Sequence, residues 1–164
     1  MESNASYVNK NPKAKRILAV ASAGGHWTQL MMLSEAFGNN QIIYLTTALH
    51  NNSSSDVLEK SIQIVPDADL RSSIFRIFYL AMTVAWKVLV IRPDVVISTG
   101  AASGFFSIFF AKLIGAKTIW VDSLANYQQL SRSGKYAKPF CNVFLTQWRN
   151  MSEKEKVSYW GSLL

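Results

Sequence analysis

The segment ASAGGHW (residues 21–27) places two glycines and a histidine between an apolar run and a helical pattern. Gly24 and Gly25 allow the backbone to approach a ligand closely, and the N–H groups at the start of a helix favour an anion. His26 would be close to neutral charge there, as a general base requires. The spacing fits neither G-x-G-x-x-G nor a P-loop. We interpret the segment as an anion site with a proton acceptor; the alternative is a tight turn.

The segment STGAASG (98–104) repeats this arrangement, with small residues between an apolar run and a helical pattern. It reads G-x-x-S-G and not the G-x-S-x-G of a hydrolase elbow, so a nucleophilic serine is not expected. We predict that Thr99, Gly100 and Ser103 form a second site where the backbone binds an anion. The alternative is close packing of a helix on a sheet.

The segment VDSLANYQQLSRSGKYAKP (121–139) contains a third candidate site. Asp122 follows an apolar run, and a polar, basic loop follows Asp122. Arg132 and Lys135 can bind phosphate, with Ser131 and Gly134 in the same loop. A solvated basic loop is the alternative.

These three segments need elements that bring them together. Apolar runs predict strands at 16–22, 41–47, 61–66, 92–100, 116–123 and 141–148, the last strand, and helical spacing predicts helices at 27–38, 70–92 and 103–115. The alternation predicts an α/β fold, a Rossmann-like open parallel sheet with helices on both faces. Residues 16–164 would form a single domain after a flexible basic leader, residues 1–15. The carboxyl ends of parallel strands share one edge, so the three loops should converge there.

Residues 70–92 are unusually apolar. A helical wheel leaves one narrow polar stripe: Ser72, Arg76, Tyr79, Thr83 and Lys87. Only ten residues separate Arg76 from Lys87, whereas a membrane span needs roughly 20. We predict an amphipathic helix in a membrane interface, with Phe75, Phe78 and Trp86 facing lipid. The alternative is a helix that only packs on the sheet. The two interpretations are compatible if one face of the helix packs on the sheet and another meets lipid.

The amino-acid composition and net charge restrict the classes of partner that the chain can bind. The 164 residues are 49% hydrophobic and 16% charged, with a net charge of +7, which suits phosphorylated substrates or acidic lipids. Nucleic acid is not expected, because the basic residues are scattered and the aromatic residues lie in apolar helices. The single Cys141 indicates a reducing, cytoplasmic setting. With only His26 and His50 beside it, no metal is expected, and no cofactor is predicted.

The segments ASAGGHWTQL, RPDVVISTGAASG, GAKTIWVDS and LSRSGKYAKPFCNVFLTQW occur in the order seen in the asparagine-linked-glycosylation protein 14 family, which includes PssD-like bacterial polysaccharide proteins. The resemblance covers about residues 16–161. It implies the N-terminal, acceptor-binding half of an inverting GT-B glycosyltransferase of the MurG type. A separate small catalytic subunit would bind the UDP-sugar donor and complete a heterodimer.

The same resemblance implies a location and an acceptor. The chain would lie at the cytoplasmic face of the membrane, as a peripheral or monotopic protein. The acceptor would be a saccharide linked to a polyprenyl diphosphate, in capsule, exopolysaccharide or lipid-linked oligosaccharide synthesis.

The resemblance also suggests residue roles. Gly24, Gly25 and His26 match the family's Gly-rich loop between acceptor and donor, and Gly100 matches a second loop. Asp122 stands where many members have Glu, and LSRSGK departs from an LSLTGK-like run. His26 or Asp122 would be the catalytic base.

Two other functions are open. The chain could be a non-catalytic membrane adaptor that only recruits the catalytic subunit. A stand-alone Rossmann enzyme, such as a sugar-nucleotide epimerase, would need a second domain of similar size, for which 164 residues leave no room.

Overall fold

The computed structural model describes residues 13–48, 61–68 and 71–163. His50 and all but the last three residues of the predicted leader lie outside the described residues.

Within the described residues, seven strands form one parallel sheet. They are β1 (Arg16–Val20), β2 (Gln41–Thr46), β3 (Ile62–Ile64), β4 (Val95–Ser98), β5 (Lys117–Val121), β6 (Val143–Thr146) and β7 (Ser158–Tyr159). Their order across the sheet is β3-β2-β1-β4-β5-β6-β7. This confirms the predicted open parallel sheet. The order reverses between β1 and β4, and open α/β sheets bind ligands at such a point, beyond the carboxyl ends of the strands.

Five α-helices accompany the sheet in the described part of the chain: α1 (Gly25–Met32), α2 (Ile74–Ile91), α3 (Ala101–Leu113), α4 (Arg132–Ala137) and α5 (Arg149–Glu155). Short 3₁₀ helices follow α1 and α4, at Ser34–Phe37 and Lys138–Phe140.

The prediction was wrong in three details. The helix predicted at 27–38 is α-helical only to Met32, the basic loop contains α4, and β7 follows the strand that was predicted to be the last. The two residues of β7 pair with Leu145 and Thr146 of β6, and two residues are too few to show a strand pattern. The six residues of α4 include Gly134, which lowers their helical propensity.

Both faces of the sheet are covered, as predicted. Leu18 and Val20 of β1 belong to one buried cluster, which also holds residues of α2 and α3. Ile17 and Ala19 belong to the other cluster, together with Trp27 of α1. Because successive strand residues point to opposite faces, β1 is buried on both sides and its sequence is a continuous apolar run.

Helix α2 has a buried face and an exposed face, and both are apolar. Leu80, Val84 and Val88 are fully buried in the core, whereas Phe75, Phe78 and Trp86 are 82%, 65% and 70% exposed. By length and composition α2 could cross a membrane. Its inner face is part of the domain core, and its outer face is exposed. Packing on the sheet and the predicted contact with lipid would therefore use different faces of the helix.

The polar stripe predicted on α2 does not form a continuous solvent-facing strip. The ammonium group of Lys87 donates to Gln63 Oε1 at 2.9 Å, on edge strand β3. The Thr83 hydroxyl donates to the Tyr79 carbonyl within the helix. Tyr79 is itself 64% exposed beside Phe75 and Phe78. The sequence pattern predicted the helix correctly, but only the tertiary structure shows that Lys87 bonds to the edge strand β3.

Candidate functional site

The loops that follow β1 and β4 meet at the carboxyl edge of the sheet. The Thr99 hydroxyl donates to the carbonyl oxygen of His26 at 2.8 Å. The imidazole lies against Gly100, where a Cβ atom would be 2.4 Å from His26 Cε1. Gly100 also has φ of +146°, a conformation that L side chains rarely adopt. The structure therefore brings two of the predicted loops together, and Gly100 is required there for both space and conformation.

Two helices begin at this edge without a side-chain cap. Gly24 is the N-cap residue of α1 and Gly100 is that of α3, and neither has a side chain to bond the first amides. Backbone N–H groups at a helix start lack intrahelical partners and attract negative charge. Since β1 and β4 are neighbours, both sets of donors lie at the point where the strand order reverses. The structure thus has the backbone donors on which the predicted anion site depends, and anion binding itself stays a prediction.

Residues Ser103 and Gly104 lie below this edge, in the contact between α3 and the sheet. Ser103 is buried, and its hydroxyl has no hydrogen-bond partner among the described residues. A Cβ atom on Gly104 would be 2.0 Å from Ser98 Oγ. Gly104 therefore fits the alternative interpretation of this segment, in which the helix packs closely on the sheet. A ligand role for Ser103 stays a prediction.

The imidazole of His26 is held toward its neutral form. Burial disfavours the charged ring and lowers its pKa below the ordinary 6.5, while the Thr99 backbone and the charge of Asp122 oppose that shift more weakly. Nδ1 is buried and has no hydrogen-bond partner in the described part of the chain. A neutral ring at physiological pH can accept a proton, which is the property that a general base needs.

Asp122 has a different environment. Its carboxylate is buried and accepts three hydrogen bonds: from Ser131 N at 3.0 Å, from Ser131 Oγ at 2.5 Å and from Trp120 Nε1 at 3.1 Å. Ser131 Oγ in turn accepts from Gly134 N at 2.9 Å and caps α4. Asp122 therefore fixes the start of α4.

Gly134 is part of the same packing. A Cβ atom there would be 2.6 Å from Ser131 Oγ and 3.0 Å from Asp122 Oδ1. A glycine at this position lets the first turn of α4 approach the carboxylate, so the S-x-x-G spacing has a structural reason.

Sequence reasoning missed a set of polar side chains that joins α1 to the segments that follow β5 and β6. Gln29 Nε2 donates to Ser123 Oγ at 3.1 Å. Gln147 Nε2 is shared between Gln29 Oε1 at 3.2 Å and the Asp122 carbonyl at 2.9 Å. One signal was present: Gln147 directly follows the apolar strand β6, and Ser123 lies two positions after the end of β5. The pairing itself links residues 118 positions apart, which no local pattern shows.

Arg132 and Lys135 are exposed on α4 and line an open cleft of about 480 Å³. The cleft is bounded by Arg71, Gln129, Leu130, Arg132, Lys135 and Tyr136. The Lys135 ammonium donates to Gln129 Oε1 at 3.4 Å. We call this the basic cleft. It is joined to the His26 edge through Ser131 and Asp122, so the predicted residues form two connected parts and not one cluster.

Solved structures with this architecture define the class of fold. MurG from Acinetobacter baumannii matches with a TM-score of 0.66 and 14% identity, over 84% of this chain and 43% of that chain. UDP-N-acetylglucosamine 2-epimerase from Rickettsia bellii matches with a TM-score of 0.65 and 14% identity, over 92% of this chain and 45% of that chain. The chain thus spans less than half of each. It is a Rossmann-like domain of the kind found in GT-B glycosyltransferases.

The sequence comparisons are more specific. The family model "Oligosaccharide biosynthesis protein Alg14 like" matches residues 63–163, and the chain belongs to this family. A relative from Yarrowia lipolytica is 24% identical over 95% of this chain and 83% of its own length. One from Schizosaccharomyces pombe is 26% identical, over 90% and 82%. Both are named as the ALG14 subunit of UDP-N-acetylglucosamine transferase.

Proposed function

We propose that the chain is the acceptor-binding subunit of a two-component inverting glycosyltransferase at the cytoplasmic face of a membrane. A small partner subunit binds the UDP-sugar, and N-acetylglucosamine is the sugar that the relatives' names support. The acceptor is a saccharide on a polyprenyl diphosphate. One observation supports a direct role of this chain in catalysis. The largely buried imidazole of His26, with its lowered pKa, lies over Gly100 at the edge where the strand order reverses.

In this proposal His26 is the base. An acceptor hydroxyl oxygen attacks the anomeric carbon of the donor, and its proton passes to a ring nitrogen of His26. The bond from the anomeric carbon to the diphosphate oxygen breaks, and its electron pair leaves with UDP. The backbone N–H groups that open α1 and α3 favour the negative charge that develops on the leaving group.

Asp122 is proposed as a positioning residue. Its two carboxylate oxygens are occupied by Ser131 and Trp120, so it is poorly placed to accept a proton from a substrate. Its charge raises the proton affinity of His26 and its hydrogen bonds hold α4.

The two-component proposal is tested by reconstitution. The chain is co-expressed with the small subunit, and transfer from labelled UDP-N-acetylglucosamine to a polyprenyl-diphosphate-linked acceptor is followed by chromatography of the lipid product. We expect turnover from the complex and background from either subunit alone, because one Rossmann-like half cannot enclose both substrates. A panel of other UDP-sugars tests the donor. Robust turnover by this chain alone would reject the two-component proposal.

The second candidate function, a non-catalytic adaptor, rests on the exposed apolar face of α2. We expect that replacing Phe75, Phe78 and Trp86 with serine moves most of the protein from the membrane fraction to the soluble fraction. These three side chains are largely exposed, so the loss of apolar surface affects lipid contact more than folding. Fractionation of cells and flotation with vesicles measure the effect.

A matched control replaces three exposed apolar residues elsewhere: Met32, Tyr127 and Trp160, which are 48%, 54% and 74% exposed. That variant should stay with the membrane. Equal release of both variants, with both still folded by circular dichroism, would mean that α2 is not the membrane contact.

A further inference from the structure

The basic cleft adjoins the exposed apolar surface. Arg71 lines the cleft and lies three residues before Ile74, where α2 begins. Ile74 and Phe75 are 76% and 82% exposed. Tyr136 also lines the cleft, and its ring lies 6.2 Å from that of Phe105 on α3, the helix that packs against α2. Cationic groups and an apolar face thus occur side by side on one surface.

The residues that line the cleft suit a phosphate group. Three are cationic, namely Arg71, Arg132 and Lys135, and none of the six carries a negative charge. Guanidinium groups bind phosphate oxygens through paired N–H donors, and an ammonium group adds a mobile charge. Since Asp122 and Ser131 fix the start of α4, the position of Arg132 is set by the same contacts that join the cleft to the His26 edge.

We propose that the basic cleft binds the phosphate or diphosphate group of a lipid whose hydrocarbon chain lies along the exposed face of α2. This inference rests on the proposed function, to which it adds the place where the lipid is held. A polyprenyl diphosphate bound there would direct its saccharide toward the carboxyl edge of the sheet and its chain toward the membrane. An anionic phospholipid headgroup has the same charge chemistry, so the experiment separates these two sources.

The test measures binding of the purified full chain to three kinds of vesicle. They contain phosphatidylcholine alone, phosphatidylcholine with undecaprenyl diphosphate, and phosphatidylcholine with phosphatidylglycerol at the same surface charge. We expect undecaprenyl diphosphate to tighten binding, and R132Q/K135Q to lose about tenfold of that affinity, since each basic group near a charged membrane surface contributes several-fold. The control K13Q/K15Q removes two exposed lysines near the start of β1, at the opposite edge, and should lose less than about twofold.

Each outcome decides the inference. A gain specific to undecaprenyl diphosphate, lost in R132Q/K135Q, supports a diphosphate site; an equal gain with phosphatidylglycerol, lost in the same variant, supports a headgroup site. Equal losses in both variants would show general charge attraction and overturn the proposal. No gain in the wild-type protein would overturn it as well.

A second measurement does not depend on a variant. Inorganic diphosphate should displace the wild-type chain from undecaprenyl-diphosphate vesicles at concentrations where the same ionic strength of sodium chloride does not, and failure to displace counts against the cleft. Neither assay requires the partner subunit or a sugar donor. An active complex with no lipid-dependent gain would reject only the cleft, whereas an inactive complex with the gain intact would reject the transfer function.

Discussion

Replacing His26 with glutamine is expected to lower kcat of the reconstituted complex about 10²- to 10⁴-fold, the usual contribution of a general base. Glutamine keeps most of the side-chain volume above Gly100 but cannot take the proton. Transfer to saturating acceptor measures kcat, and membrane fractionation and thermal unfolding should be nearly unchanged. Wild-type kcat would remove His26 from the chemistry and favour the adaptor function.

The pH dependence gives an independent readout of the same residue. Burial lowers the pKa of His26 below 6.5, so the ring stays neutral as pH falls past that value. We expect kcat/KM of the wild-type complex to persist below pH 6.5 and to fall only as pH passes through the lowered pKa. The control is Asp122→Asn: it should weaken activity and stability through Ser131 and α4, yet retain an acid limb, moved to lower pH because the aspartate charge raises the pKa of His26. An acid limb lost in that variant would instead make Asp122 the base.

Replacing Gly100 with alanine is expected to reduce the free energy of unfolding by about 3 kcal/mol, from backbone strain together with overpacking. The new Cβ would lie 2.4 Å from Cε1 and 2.7 Å from Nδ1 of His26, and φ of +146° is unfavourable for any side chain. The imidazole must move, so activity of the complex should fall together with stability. Urea unfolding of the purified chain measures the first effect.

Gly115→Ala is the matched control for backbone strain. Gly115 has φ of +80°, and a Cβ there meets nothing within 4 Å. It should cost about 1 kcal/mol, the usual penalty of a left-handed conformation, and leave activity of the complex unchanged. Equal losses for both alanine variants would show that the contact between Gly100 and His26 has no energetic role.

Local sequence predicted the elements well where burial dictates composition. Strand β1 is apolar at every position except Arg16 because it is buried on both faces, and such runs are visible without any partner. The prediction failed where an element depends on a tertiary contact. Helix α4 depends on a cap by Ser131, which is itself held by Asp122, and β7 is a two-residue edge strand that exists only through its pairing with β6.

The candidate site was predictable as a set of residue types at one edge of the sheet, but the contacts between their side chains were not. Gly24, Gly25 and His26 between a strand and a helix already indicated a ligand site. The order of the four segments along the chain, which resembles that of the family, strengthened this interpretation. The sequence left open which of His26 and Asp122 would be the base, since both follow apolar strands. It is the environment of each side chain that separates them: one largely buried ring with an unpartnered Nδ1, and one carboxylate with three donors.

The sequence by itself determined the alternation of strands and helices, the glycine-rich turns at strand ends and the apolar character of α2, because each follows from local burial or backbone conformation. Only the tertiary structure decided that β1 lies beside β4, which places His26 against Gly100 across 74 positions of the chain. The same holds for the basic cleft, where Arg71, which precedes α2, lies with Arg132 and Lys135 of α4. Strand order and helix rotation are set by the packing of the whole core, and no single segment contains that information.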